Sequence, residues 1–133
     1  MDDSIFAKIV RGNIPAHKIY EDDMTLAFLD VYPKTPGHTL VIPKKNPAKF
    51  VWDLDADTYT AIMATSKKVA LRLRSSLNTP YVHQAVIGVD VPYAHVHLVP
   101  FTTTNELESS PDMSREPDHE SLASLAEMLR IDD

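Results

Sequence analysis

The amino-acid sequence predicts an α+β fold: a five-stranded antiparallel sheet with one long helix, a short N-terminal helix and a C-terminal helix. Three observations predict it. Short β-type runs, bounded by Pro, Gly, Asn and Asp, occupy residues 17–44 and 81–101. Between them the apolar period switches to that of a helix. The last two β-type runs are separated only by "GVD", short enough for an antiparallel hairpin.

The elements follow in order. In "DSIFAKIV" (3–10), Ile5, Phe6 and Ile9 share one helical face, with Ser4 or Asp3 as the cap, and "RGNIPA" ends the helix. "HKIYED" and "MTLAFLDVY" read as two strands joined by a turn at Asp22–Asp23, and "YPKTPG" is a loop. "HTLVIPK" is the third strand, broken by "KNPAKF". From Asp55 to Leu77 one face holds Tyr59, Ile62, Met63, Val69, Ala70, Leu73 and Leu77, while Lys67, Lys68, Arg72 and Arg74 point elsewhere. Asp55 suits the N-cap, Leu54 and Tyr59 a hydrophobic staple, and "LNTP" the close. "YVHQAVI" and "VPYAHVHLVPF" are the fourth and fifth strands. The polar stretch after them reads as a long loop. "ESLASLAEMLR" then spaces Leu122, Leu125 and Leu129 helically, with Pro117 suited to its first turn.

The 133 residues suit a single domain over 1–133, with a core at about 4–101 and an acidic loop and helix at 102–133. The net charge of −6 is uneven: nine acids and two bases in 102–133 give that region −7 and leave the body at +1. Without a basic stripe, nucleic acid is not an expected partner. No apolar run has the length of a membrane span, and the acidic start "MDDSIFAKIVRG" is unlike a signal peptide. The expected compartment is the cytoplasm. The absence of cysteine excludes disulfides, thiolate catalysis and cysteine-ligated zinc.

The chemistry concentrates in the fifth strand. Alternation puts Val91, Tyr93, His95, His97 and Val99 on one face, and Ala94, Val96 and Leu98 on the other. The apolar set belongs to the core, so the histidine face lines a cleft. Two imidazoles so close repel when both are charged, so the site should favour a neutral or shared-proton state. His38 opens the third strand, and pairing of that strand beside the fifth would bring the three histidines together. Two chemistries then stand open. One is a three-histidine metal site with a free position. The other is nucleophilic attack by an imidazole nitrogen on phosphorus, with the second ring nitrogen held as a donor by a backbone carbonyl. His17 and His119 read as surface residues, and Lys44 and Lys45 as a solvated pair.

The blocks "SIFAKIVRGNIPAHKIYEDD", "AFLDVYPKTPGHTLVIPKKN" and "VPYAHVHLVP" resemble the histidine-triad (HIT) family of nucleotide hydrolases and transferases, in family order, from about Ser4 to Pro100. The resemblance implies a homodimer whose sheets join into one of about ten strands. It implies a purine nucleotide substrate (a phosphoramidate, an adenylylated amine or a dinucleoside polyphosphate) and attack at the α-phosphate through a nucleotidyl-histidine, with no cofactor and no metal. His95 matches the nucleophile, His97 the last triad histidine and His38 the upstream histidine. Asp30 matches the acid that binds the ribose hydroxyls, and Ile5, Phe6, Ile9 and Phe28 match the apolar wall around the base. A plain core role competes for these four.

Two departures stand out. Tyr93 occupies the first triad position. Many bacterial relatives hold a structural zinc; the matching positions here are Ser4, Ala7, Asn46 and Tyr93, so all four ligand types are missing together. The resemblance therefore implies a variant without that zinc, with Tyr93 among the substrate-side residues. The second departure is "GVDVP", where Val89 replaces an amide and Asp90 a hydroxyl near the phosphate. A carboxylate there repels phosphate. Asp90 points away, pairs with a base or selects a cationic leaving group; a plain turn aspartate is the alternative.

Overall fold

The computed structural model describes residues 4–132. The chain runs α1 (Ile5–Val10), β1 (Lys18–Glu21), β2 (Thr25–Leu29), β3 (Thr39–Pro43), α2 (Ala56–Leu77), β4 (Tyr81–Ala85), β5 (Val96–Phe101) and α3 (His119–Leu129), with short 3₁₀ turns at Val51–Asp53 and Thr104–Leu107. The five strands form one antiparallel sheet in the order β1-β2-β3-β5-β4. This is the predicted fold class. No helix is long and apolar enough to cross a membrane among the described residues.

Strand alternation divides the sheet into two working faces. Ala27, Leu29, Val41, Val96 and Leu98 turn to one side, into a core with Ile62, Val69 and Leu73 of α2 and Leu122, Ala126 and Leu129 of α3. Leu26, Phe28, Leu40 and Ile42 turn to the other, into a second cluster with Phe6 and Ile9 of α1. The first face carries the two larger helices. The second is covered only by one short helix, which leaves room for a cleft.

Local chemistry sets the helix ends. Ser4 Oγ accepts from the Ala7 N–H at 3.1 Å and caps α1; Asp3, the alternative cap, lies outside the described residues. Asp55 accepts from the Thr58 N–H at 2.8 Å, and Asn78 closes α2 in the left-handed conformation. α3 is capped by Asp118, so Pro117 stands just before the cap and not in the first turn as expected. Its last carbonyls accept from the Arg72 guanidinium, which ties α3 to α2.

Two predicted strands are shorter than expected. β4 stops at Ala85 and β5 begins only at Val96, so residues 86–95 form a loop and "GVD" is not a tight hairpin. The reason lies in pairing: Ala85 is already opposite His97, and residues before Val96 have no strand partner in the ladder. Strict alternation therefore fails upstream of Val96.

Candidate active site

The site forms where β3 and β5 lie side by side. Leu40 pairs with His97 and Thr39 with Leu98, which brings His38, just before β3, against the His97 side chain. Gly37 sets the approach. Its φ is +97°, and a Cβ there would lie 2.6 Å from Leu77 Cδ1, so only glycine fits the turn that delivers His38. Among residues 35–38, the His38 N–H closes that turn onto the Thr35 carbonyl at 3.1 Å.

A cavity of about 600 Å³ opens on the α1 side of the sheet. Its lining includes the predicted Ile5, Phe6, Ile9, Phe28, Asp30, Asp90, His95 and His97. Ile5 is largely exposed at its edge, whereas Phe6, Ile9 and Phe28 are buried and serve the core and the cavity wall together. His38 stands behind His97. Tyr93 does not line the cavity: it is 2% exposed, packs edge-on to Phe6, and its hydroxyl donates to the Pro43 carbonyl. The expectation that Tyr93 shares the open face of His95 and His97 is thus corrected, because Tyr93 belongs to the loop and not to the strand. Val91 and Leu40 take part in the lining, as do Ile14, Ile87 and Met113, which no motif marks.

Hydrogen bonds fix the imidazole tautomers. The Lys34 N–H donates to His38 Nδ1 at 3.1 Å, so neutral His38 carries its proton on Nε2. His38 Nε2 lies 3.1 Å from His97 Nδ1 and donates to it, which places the His97 proton on Nε2. His95 Nδ1 lies 2.7 Å from the Tyr93 carbonyl, an acceptor only, so Nδ1 holds the proton and Nε2 the lone pair. The rings of His95 and His97 meet edge-on at 4.9 Å, and Phe6 stands edge-on to His95 at the same distance.

Burial and neighbouring charge keep His38 and His97 neutral. Burial pushes the His38 pKa from 6.5 to about 4, with the Lys34 charge acting the same way. Burial also lowers His97 to about 4, helped by His95 and His38 and opposed by Asp30. These environments hold His38 and His97 neutral at pH 7. Asp30 accepts from the Tyr32 N–H at 2.9 Å, and its other oxygen lies 3.6 Å from His38 Nε2. Burial raises its pKa, and the Tyr32 N–H and the imidazoles counter that. With His38 neutral at pH 7, the Asp30–His38 contact is not an ion pair.

Asp90 is exposed at the cavity mouth and forms no salt bridge among the described residues.

Two donor sets bear on metal binding. Asp30, His38 and His97 bring potential ligand atoms within 4.8 Å of one another. The Lys34 N–H at His38 Nδ1 favours the proton on Nε2, however, so a metal would have to displace that proton and lose this hydrogen bond. His95 is not in that group, so the three-histidine metal site is not assembled. The positions of the bacterial structural zinc do not fit one either. Ser4 Oγ caps α1, Ala7 has no ligand atom, and the Tyr93 hydroxyl is used by Pro43.

Comparison with known proteins agrees with this geometry. Residues 11–104 match the HIT domain model. The chain is 36% identical over 107 residues to an uncharacterized HIT-like protein of Borreliella burgdorferi, covering 75% of this chain and 76% of that one. It is 36% identical over 97 residues to the adenosine 5′-monophosphoramidase hnt1 of Schizosaccharomyces pombe, covering 72% of each. Its fold matches the crystal structure of a HIT-like protein from Bartonella henselae with a TM-score of 0.80, at 30% identity, over 98% of this chain and 96% of that one. A zinc-bound histidine-triad protein of Mycobacterium smegmatis is also similar, with a TM-score of 0.77 and 32% identity over 96% and 93% of the two chains. Fold, imidazole cluster and sequence similarity agree: the chain belongs to the histidine-triad (HIT) family.

Proposed function

We propose that this protein is a hydrolase or nucleotidyl transferase acting at the α-phosphate of a purine nucleotide, through a nucleotidyl-His95 intermediate. The observation that carries the reading is the Tyr93 carbonyl on His95 Nδ1, which leaves the Nε2 lone pair as the nucleophile beside the cavity. Nε2 attacks phosphorus, and the bond from phosphorus to the leaving nitrogen or oxygen breaks. The leaving group departs with a proton from solvent. Water then attacks and gives up a proton to solvent, the P–Nε2 bond breaks, and His95 returns with its lone pair. The His97 Nε2–H donates to a phosphate oxygen as charge builds, and His38 holds that donor in place. Asp30 accepts from the ribose hydroxyls, and Ile5, Phe6, Ile9 and Phe28 form the wall for the base. Asp90 favours a leaving group that carries positive charge, such as an alkyl amine.

The similarity to a monophosphoramidase supports a phosphoramidate as substrate. The test is His95→Ala in pure protein with adenosine 5′-phosphoramidate. Turnover falls by at least about 10³-fold. Activity that survives the change refutes the mechanism. Binding of AMP without turnover by the unaltered protein would favour the alternative of a nucleotide-binding protein. We further infer a homodimer through β4, an edge strand with exposed Tyr81 stacked on Phe101 at 5.4 Å; light scattering on a sizing column reads the mass.

A further inference from the structure

A second pair of histidines stands away from the imidazole cluster. His17 lies just before β1 and His119 opens α3, so they are 102 residues apart in sequence, yet Nε2 of His17 and Nδ1 of His119 meet at 2.9 Å. Their rings lie 5.2 Å apart. His119 is exposed, as the sequence predicts, and it also lines the cavity together with Met113 and Pro117. The same lining includes Ile14 and Ala16, which pack against the Phe6–Ile9–Phe28 cluster. The His17–His119 bond thus ties the C-terminal segment to the wall that the proposed function gives to the base.

The chemistry of this wall is incomplete without His119. A purine has apolar faces, which suit Phe6, Ile9 and Phe28, and a polar edge, which loses water on entering a pocket and needs a partner there. In the proposed reading Asp30, His95 and His97 serve ribose and phosphate, and Asp90 the leaving group. Met113 and Pro117 offer the edge no strong partner. A neutral imidazole has one donor and one acceptor nitrogen, and His17 engages Nδ1 of His119. That leaves Nε2 of His119 available to a ligand, and the direction of the bond to His17 decides whether it donates or accepts.

We propose that His119, oriented by His17, is a specificity-determining residue that hydrogen-bonds the edge of the purine base. The C-terminal segment thereby supplies one wall of the nucleotide site. This rests on the nucleotide reading above and adds the group that recognises the base.

Calorimetry with AMP and with ribose 5-phosphate, which lacks the base, tests it. His119→Phe keeps a ring on the wall and removes the nitrogens. It weakens AMP binding by about 3- to 10-fold, the range of one neutral hydrogen bond, and leaves ribose 5-phosphate binding unchanged. His119→Gln restores most of the AMP affinity. His17→Phe gives a smaller loss, and the double variant loses no more than His119→Phe alone. Equal losses with both ligands, or no loss with AMP, overturn the proposal. The two levels of reading separate cleanly. If the unaltered protein binds AMP without hydrolysing its phosphoramidate, the hydrolase reading fails and the base contact is still measured. If it binds no AMP, both fall.

Discussion

The tautomer relay through His38 makes a quantitative prediction about stability and pH. His38 is only 4% exposed, and its pKa in the folded protein is about 4, against 6.5 when free. The unfolded chain therefore takes up the proton first as pH falls. Above about pH 6.5 neither state is protonated at His38, and its neutral contribution is complete. Between about 6.5 and 4, stability falls as pH drops, and below about 4 the slope from this group vanishes. One proton over about 2.5 pH units, at about 1.4 kcal/mol per unit, amounts to about 3 kcal/mol. His38→Gln isolates this term. The glutamine amide occupies much the same place as Nε2 and donates to His97, but it does not titrate in this range. Urea unfolding followed by far-ultraviolet circular dichroism, at steps from pH 7 to pH 4, gives both curves. The variant starts less stable at pH 7, because the Lys34 N–H loses its acceptor, and the gap closes by about 3 kcal/mol on the way to pH 4. His97 titrates over the same window in both proteins and largely cancels in the difference. Parallel curves across that range would refute the assignment of a buried neutral His38.

Three further outcomes follow from other parts of the structure. Gly37→Ala places a Cβ against Leu77 and forces the left-handed turn on an alanine; it lowers Tm by about 5–10 °C, and an unchanged melt would contradict the packing described. Asp90→Asn shifts the ratio of kcat/KM for charged against neutral leaving groups by about 2- to 5-fold toward the neutral ones, the scale of an exposed charge contact; a constant ratio removes Asp90 from leaving-group selection. Dialysis against EDTA leaves hydrolysis of adenosine 5′-phosphoramidate unaffected, because the proposed steps use His95 and no metal, and the Lys34 N–H disfavours ligation by His38. Stoichiometric zinc in protein purified without chelator, with chelator-sensitive activity, would count against that tautomer.

The sequence by itself determined the elements and the family. Helical spacing in 55–77, the cap at Asp55 and β-type runs on either side are local signals, written in consecutive residues, and they name the fold class. The motifs around His38 and His95 likewise announce imidazole chemistry, because those residue types are rare together in an apolar strand. Pairing was not legible. That His38 meets His97 depends on β3 lying beside β5, a contact between chain segments 59 residues apart. Period-two alternation misplaced Tyr93, because the ladder begins at Val96 and a loop residue obeys no alternation. His119 gave no signal, since its meaning comes from His17 across 102 residues of chain. The protonation states were decided last of all. Whether an imidazole is nucleophile, donor or ligand depends on which nitrogen meets the Tyr93 carbonyl or the Lys34 N–H, and only the folded backbone brings those groups into place.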